Sequence, residues 1–250
     1  MDTARRRWNR AALTVDVIEL LARRTPYLEP ELLGLADLVH PGDVCVDVGA
    51  AAGIYTLLLS HLVGDTGEVH CVEPLRFAHR LWSSVIGGKD GRNVRRHEVA
   101  LGTEPGTLTM SVPVGRWGKV TGRSFLMANT TGLGSNAEFA GHVDHPVQVD
   151  TLDALCADLT RLDFVKVDVE GAELLVLTGG QHVIEKFRPA LLLEIEARHI
   201  ERYGHTPDAV VEWLAQRHYT MHIWNDGWQP ADAVCAHARN YLFLADEQAQ

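Results

Sequence analysis

The chain has 250 residues, of which 46% are hydrophobic and 22% are charged, and its formal net charge at pH 7 is −10. This composition is typical of a globular chain that folds by itself, and it argues against disorder or a fibrous architecture. The acidic balance opposes general binding to the phosphate backbone of nucleic acids, and no apolar run approaches the roughly 20 residues that cross a bilayer, so we expect a cytoplasmic protein without either partner.

Helix and strand patterns alternate along the first hundred residues. Apolar positions at helical spacing predict two helices within 13–39, in an N-terminal segment (1–40) that packs on a core domain (41–250). An apolar run that ends in glycine predicts the first buried strand at 44–48. The elements predicted next are a helix over 54–63, a strand over 68–72, a helix over 75–86 and a strand near 94–100. Such alternation is typical of a parallel sheet with right-handed crossovers.

Residues 102–149 interrupt this alternation. They are rich in Gly, Thr and Ser and contain a β-like run at 107–112, which predicts a hairpin and a loop that caps the site. The elements predicted after them are a helix over 151–159, a strand over 164–168, a helix over 172–178, a strand over 190–194, a helix over 207–217, and strands over 220–224 and 241–244. We therefore predict an α/β fold with a Rossmann-like, seven-stranded, mostly parallel doubly wound sheet.

The sharpest local feature is the turn between the first strand and the following helix, Val-Asp-Val-Gly-Ala-Ala-Ala-Gly-Ile-Tyr-Thr at 46–56. Glycine at positions 49 and 53 lets the backbone approach a ligand, and a helix N-terminus attracts an anionic group such as a carboxylate. The turn lacks the three-glycine spacing of the dinucleotide fingerprint, which weakens a pyrophosphate interpretation. We assign Asp47, Gly49, Gly53 and Tyr55 to a cofactor site.

An acid follows the second strand about two dozen residues later. Glu73 stands where a carboxylate accepts hydrogen bonds from both hydroxyls of a ribose, and its spacing from the glycine turn favours this role over that of a surface acid. The third predicted strand ends near Ala100, beside the expected position of an adenine. Either Glu98 or Ala100 is the candidate contact there, and we assign Ala100 to the cofactor site.

Four segments together resemble the FkbM family of methyltransferases. They are Val-Asp-Val-Gly at 46–49, Val-Glu-Pro at 72–74, Val-Asp-Thr-Leu-Asp at 149–153 and, most specifically, Lys-Val-Asp-Val-Glu-Gly-Ala-Glu at 166–173. The resemblance runs from about Asp43 to Glu196. It implies a Rossmann-like sheet, S-adenosylmethionine as methyl donor and, commonly, methylation of a hydroxyl on a sugar or polyketide-type molecule.

The chain departs from the family pattern in two places. Alanines at 50–52 stand where a second glycine is usual, which would narrow the space beside the methionine end of the donor. The loop at 116–147 does not align, and we expect it to carry acceptor specificity.

Acids at neighbouring strand ends are the candidates for the reacting centre. Asp168 ends the fourth predicted strand and Glu194 the fifth, so both lie at the same edge of the sheet. Two adjacent carboxylates repel each other unless they share a proton or hold a cation, and oxygen ligands suit Mg²⁺. Asp168 and Glu194 are thus a candidate metal pair. The alternative is that they bond to backbone N–H groups or substrate hydroxyls.

Three residues are the catalytic candidates. Asp168, which we also assign to the donor site, is the first. The family placement favours Glu170 as a substrate ligand or proton acceptor, and His199, after the fifth strand, is a base whose pKa we expect near neutrality. Glu173 is expected to be structural, and Lys166 to pair with an acid beneath the site.

We therefore predict an S-adenosylmethionine-dependent O-methyltransferase that acts on a small-molecule hydroxyl, with Mg²⁺ as a second candidate cofactor and a homodimer left open. Two rivals use the same fold, which alone does not set the chemistry: a nicotinamide-dependent oxidoreductase and a noncatalytic nucleoside-binding module. The glycine spacing argues against the first, and the paired acids argue against the second.

Overall fold

A computed structural model of the chain describes Ala22 and residues 28–75, 92–116 and 118–248. The first of the two helices predicted within 13–39, and the helix predicted over 75–86, therefore lie almost entirely outside the described residues. The second N-terminal helix is present as a 3-10 helix, Pro30–Asp37, with proline in its first turn. Within the described ranges, no helix has both the length and the apolar character needed to span a bilayer.

The strands and helices alternate in chain order. The strands are β1 (Val44–Val48), β2 (Glu68–Val72), β3 (Val94–His97), β4 (Ala100–Leu101), β5 (Gly106–Gly115), β6 (Gly118–Lys119), β7 (Phe125–Leu126), β8 (Gly141–Asp150), β9 (Phe164–Val167), β10 (Ala190–Glu194), β11 (Tyr219–Trp224), β12 (Trp228–Pro230) and β13 (Asn240–Ala245). The helices are α1 (Ile54–Val63), α2 (Leu152–Leu155), α3 (Glu173–Gly179), α4 (Gln181–Phe187), α5 (Ala197–Ile200) and α6 (Pro207–Ala215).

The main sheet has the order β12-β11-β13-β10-β9-β1-β2-β3. Strands β10, β9, β1, β2 and β3 are parallel, whereas β13 runs antiparallel to both β10 and β11. The predicted α/β fold with a mostly parallel sheet is confirmed, but the described sheet has eight strands instead of seven. The additional strand is β12, because the chain turns back through left-handed conformations at Asp226 and Gly227 and pairs with β11.

The central strands are buried on both faces, which explains their nearly continuous apolar sequences. On one face, Cys45 of β1 packs with residues of α1 and of the 3-10 helix Pro30–Asp37. On the other, Val46 and Val48 pack with residues of α2, α3, α4 and α6. The two helical layers leave the carboxyl ends of the parallel strands uncovered, where ligands bind in doubly wound sheets.

The insertion forms a second sheet over this edge. Strands β5 and β8 pair antiparallel from Gly106 to Val149, and the order is β4-β8-β5-β6, with β7 paired to β5. The single strand predicted near 94–100 is divided. After His97 the chain leaves the edge of the main sheet, and Ala100 and Leu101 pair with β8 instead. The third strand thus carries the insertion onto the sheet.

Candidate active site

Two cavities meet at the carboxyl ends of β1, β2 and β9. The insertion-side cavity, of about 690 Å³, lies between the main sheet and the insertion and is lined in part by Glu73, Ala100, Met110, Ser124, Leu126 and Glu170. The helix-side cavity, of about 620 Å³, lies at the start of α1 and is lined in part by Glu29, Asp47, Gly53, Tyr55 and Lys166. Gly49, Ala51 and Asp168 line both cavities. A single elongated ligand can therefore reach from one cavity into the other past these three residues.

The glycine turn after β1 forms the boundary between the cavities. Gly49 has φ +78°, and a Cβ at this position would overlap the carbonyl oxygen of Asp168. Its N–H and that of Ala50 both donate to the carbonyl of Val72, at 3.0 and 3.2 Å. Gly53, with φ +72°, is the N-cap of α1. These contacts join the ends of β1, β2 and β9 in one compact edge.

The alanines of this turn are accommodated without closing the helix-side cavity. Ala51 takes a left-handed conformation with φ +43°, which is uncommon for a residue with a Cβ. Ala50, Ala51 and Ala52 all line the cavity wall. The departure from the family pattern therefore leaves room for a ligand beside the turn.

Glu73 connects the glycine turn to the end of β2. One carboxylate oxygen accepts from the N–H of Ala51 at 3.0 Å and the other from the N–H of Leu75 at 2.9 Å. Burial raises the pKa of Glu73 to about 7, and these two hydrogen bonds oppose the rise. Because each carboxylate oxygen has two lone pairs, both retain a free acceptor site for ligand hydroxyls. Ala100 lines the same cavity, among apolar side chains.

Asp47 and Tyr55 line the helix-side cavity through side chains that also have structural partners. Asp47 accepts from the hydroxyl of Thr56 at 2.5 Å, which ties β1 to α1, and burial raises the pKa of Asp47 to about 6. The Tyr55 hydroxyl donates to Glu29 at 2.5 Å. Thr56 and Glu29 were not identified from the sequence, since each is recognisable only by its partner in the fold.

Lys166 brings a buried positive charge to the helix-side cavity. Its ammonium donates to the side-chain oxygen of Asn240 at 2.9 Å, lies 3.9 Å from a carboxylate oxygen of Asp168 and stands 5.0 Å from the ring centroid of Tyr55. Burial opposes the charge of Lys166, but Asp168 and other nearby carboxylates outweigh it and raise its pKa. The lysine is therefore charged inside the protein.

Asp168 and Glu194 lie together, as the topology of the sheet requires. The Asp168 side chain is 33% exposed and stands at the junction of the cavities, whereas Glu194 is buried behind it. Burial, the charge of Asp168 and a hydrogen bond to Asp168 raise the pKa of Glu194 well above its ordinary value. In the metal-free protein the pair shares a proton, one of the two arrangements that the sequence left open.

Glu170 and His199 form a second pair. Glu170, in a left-handed conformation with φ +56°, lines the insertion-side cavity, and one of its carboxylate oxygens lies 3.0 Å from Nδ1 of His199. Burial and then Asp168 raise the pKa of Glu170 to about 8, against the effect of Arg123 and Arg202. His199 is buried behind Glu170, and burial lowers its pKa, in contrast to the near-neutral value that we expected.

Glu173 supports the turn that carries these acids. One of its carboxylate oxygens accepts from the N–H groups of Gly171 at 3.0 Å and Val169 at 3.3 Å. Its side chain is buried and lines neither cavity. Burial raises the pKa of Glu173 from 4.5 to about 7, so the acid is largely neutral in the folded protein below this pH.

Glu173→Gln should reduce the pH dependence of stability. Between about pH 5 and pH 7 the folded chain retains a proton on Glu173 that the unfolded chain has lost. The free energy of unfolding therefore falls as pH rises through this range, by up to about 1.4 kcal/mol per pH unit for one proton. Glutamine keeps a carbonyl acceptor but does not titrate, so urea unfolding at several pH values should give a flatter dependence. The exposed Glu212→Gln serves as control, and an unchanged slope in Glu173→Gln would contradict the assignment.

The loop at 116–147 supplies part of the wall of the insertion-side cavity through Thr121, Gly122, Ser124 and Leu126. Beside it lie two arginines that were not identified from the sequence. Nε of Arg123 is 3.4 Å from Glu170, and the guanidinium of the buried Arg202 stacks 4.2 Å from the ring centroid of Phe125. The insertion therefore contributes positive charge next to Glu170.

Comparisons with known proteins agree with this fold. The family model described as Methyltransferase FkbM domain matches residues 47–221. Similar solved structures include an FkbM methyltransferase from Methylobacillus flagellatus KT, with 16% identity, a TM-score of 0.51 and coverage of 93% of this chain and 59% of that one. A SAM-dependent O-methyltransferase from Thermotoga maritima has 13% identity, a TM-score of 0.48 and coverage of 92% and 69%.

A SAM-dependent methyltransferase from Aquifex aeolicus has 13% identity, a TM-score of 0.46 and coverage of 93% and 96%. Identities this low show the fold alone. The chain spans less than two thirds of the length of the Methylobacillus protein. A search of curated protein sequences found no significant match.

Proposed function

The chain belongs to the FkbM family of methyltransferases, and on that basis we propose that it uses S-adenosylmethionine to methylate a hydroxyl group of a small molecule, a saccharide or a polyketide-type metabolite. The observation that carries this proposal is the pair of cavities joined at Gly49, Ala51 and Asp168. The donor has an adenosine end and an amino-acid end, and the two cavities offer chemically different walls for them.

The insertion-side cavity suits the adenosine end. Glu73 retains acceptor capacity for the two ribose hydroxyls while its remaining lone pairs hold the glycine turn. Ala100, Leu101 and Met110 supply an apolar wall for the adenine. This arrangement assigns to Glu73 and Ala100 the roles expected from the sequence.

The helix-side cavity suits the amino-acid end, which carries both a carboxylate and an ammonium group. Lys166 and the N-terminus of α1, beginning after Gly53, offer positive charge for the carboxylate. Glu29 and Asp168 line the cavity with negative charge for the ammonium. We propose that Asp47 and Tyr55 hold this wall in place through Thr56 and Glu29.

The bound donor supplies a methyl group already activated by its sulfonium, so the carbon–oxygen bond forms as the carbon–sulfur bond breaks, and the hydroxyl loses its proton. Asp168 stands at the junction of the cavities and is the proposed acceptor of that proton. Glu170 faces the insertion-side cavity and is neutral below about pH 8, so it can donate a hydrogen bond to the acceptor. His199, behind Glu170, acts as a positioning residue.

The acceptor is expected in the part of the insertion-side cavity bordered by the insertion. Thr121 and Ser124 offer hydroxyls there, next to Glu170 and the apolar Leu126. Such a mixed wall suits a polyhydroxylated ring that also has an apolar face. Mg²⁺ between Asp168 and Glu194 remains the alternative to their shared proton.

Thermal shift measurements test the donor class. S-adenosylmethionine and S-adenosylhomocysteine should raise the melting temperature, and NAD should not, because only the former carry an amino-acid end for the helix-side cavity. Stabilisation by NAD alone would favour an oxidoreductase. Mass spectrometry of a panel of saccharide and polyketide acceptors then tests the product, and methylation at nitrogen would contradict the hydroxyl assignment.

Glu73→Ala should weaken donor binding about 10- to 100-fold in calorimetry. The substitution removes a charged acceptor of two hydroxyls, each hydrogen bond to a charged group being worth about 1.5–3 kcal/mol, and the loss is partly offset by water. Glu104→Ala is the control, because Glu104 is exposed and does not line the cavity. Unchanged donor affinity in Glu73→Ala would remove the proposed ribose contact.

A further inference from the structure

Three side chains with metal-ligating atoms converge behind Asp168. They are Glu170 in the turn after β9, Glu194 at the end of β10 and His199 in α5, and one ligand atom from each lies within 4.8 Å of the other two. All three residues are buried, with 6%, 9% and 2% exposure. We propose that they bind one divalent transition-metal ion, of the class that includes Mn²⁺ and Zn²⁺.

The group contains polar atoms that the protein itself leaves unsatisfied. Within the described part of the chain, neither ring nitrogen of His199 and neither donor nor acceptor partner for Oε2 of Glu170 forms a hydrogen bond. Nδ1 of His199 and Oε2 of Glu170 are 3.0 Å apart without such a bond. Buried polar atoms almost always have partners, so these atoms point to a ligand between them.

The separation of these two atoms fits adjacent ligands of one ion. Ligand bonds of about 2.1 Å that meet at a right angle place their donor atoms about 3 Å apart. The carboxylate of Glu194 completes a set of three. Glu170 also lines the insertion-side cavity, so the ion has a coordination position open toward that cavity.

The donor set favours a transition metal over Mg²⁺. One imidazole and two carboxylates suit Mn²⁺, Fe²⁺ or Zn²⁺, whereas Mg²⁺ prefers oxygen ligands alone. The guanidinium of Arg123, 3.4 Å from Glu170, favours the ionised carboxylate that ligation requires. The site retains Glu194 from the pair expected from the sequence and replaces Asp168 by Glu170 and His199.

A role for the ion in catalysis rests on the proposed function. At this position the ion would polarise the acceptor hydroxyl and lower its pKa, next to Asp168, which takes the proton. The binding of the ion, in contrast, is a property of the three side chains and is testable without substrate.

Calorimetry on chelator-treated protein tests the site. Mn²⁺ and Zn²⁺ should each bind with one equivalent, and Mg²⁺ at least about 10-fold more weakly. His199→Gln and Glu194→Gln should each weaken Mn²⁺ binding about 10- to 100-fold, whereas the exposed His61→Gln should leave it unchanged. Absence of a one-equivalent site, or equal affinity in all variants, would overturn the proposal, as would tighter binding of Mg²⁺.

Pulsed electron paramagnetic resonance of the wild-type protein loaded with Mn²⁺ covers the case in which a variant fails to fold. The spectrum should show the ¹⁴N coupling of one imidazole, and its absence would contradict ligation by His199. Donor affinity of the metal-free protein is measured in parallel. Donor binding without metal binding would refute the metal site alone, and metal binding without donor binding would refute the proposed function alone.

Discussion

Gly49→Ala is expected to lower the free energy of unfolding by about 3–5 kcal/mol and to abolish measurable donor binding. The added Cβ would overlap the carbonyl oxygen of Asp168, and backbone at this position cannot yield without separating the ends of β1 and β9. The left-handed φ of +78° adds a further cost for any residue with a side chain. Urea unfolding and donor calorimetry measure the two effects.

Gly204→Ala is the matched control for this substitution. Gly204 has almost the same conformation, φ +75°, but a Cβ there has no atom within 4 Å. Its replacement should cost about 1 kcal/mol and leave donor binding unchanged. Equal costs at the two positions would show that φ alone, and not the approach to Asp168, makes Gly49 necessary.

Asp168→Asn is expected to lower kcat about 100- to 10 000-fold. The amide keeps the shape of the side chain and cannot take a proton from the acceptor, and general base catalysis commonly contributes this range. The affinity for the donor should change much less, since Lys166, Glu29 and Glu73 remain. The exposed Asp158→Asn is the control.

The division of the effect between kcat and donor affinity decides the role of Asp168. A large loss of donor affinity with little change in kcat at saturating donor would identify this residue as a donor ligand only. In that case Glu170 is the remaining acid at the cavity wall that can take the proton.

Much of the fold could be predicted because the relevant signals are local. The limits of β1, α1, β2 and β10 agree with those predicted, since each is a short apolar run bounded by glycine, proline or charged residues. The meeting of Asp168 and Glu194 also follows from chain order, because parallel strands present their carboxyl ends on one edge.

Features that depend on distant partners could not be predicted. The division of the third strand into β3 and β4 depends on β8, which lies some 40 residues further along the chain. The contact of Glu29 with Tyr55 and the burial of His199 likewise appear only after folding. An isolated histidine in a sequence gives no sign of its burial, so its expected pKa was too high.

The eighth strand has a consequence for how two copies of the chain can associate. β12 has three residues and ends in Pro230, which has no N–H to donate to a neighbouring strand. Short edge strands with proline oppose the growth of a sheet across molecules. Any homodimer should therefore form through another surface, and this end of the sheet is protected against strand-to-strand aggregation.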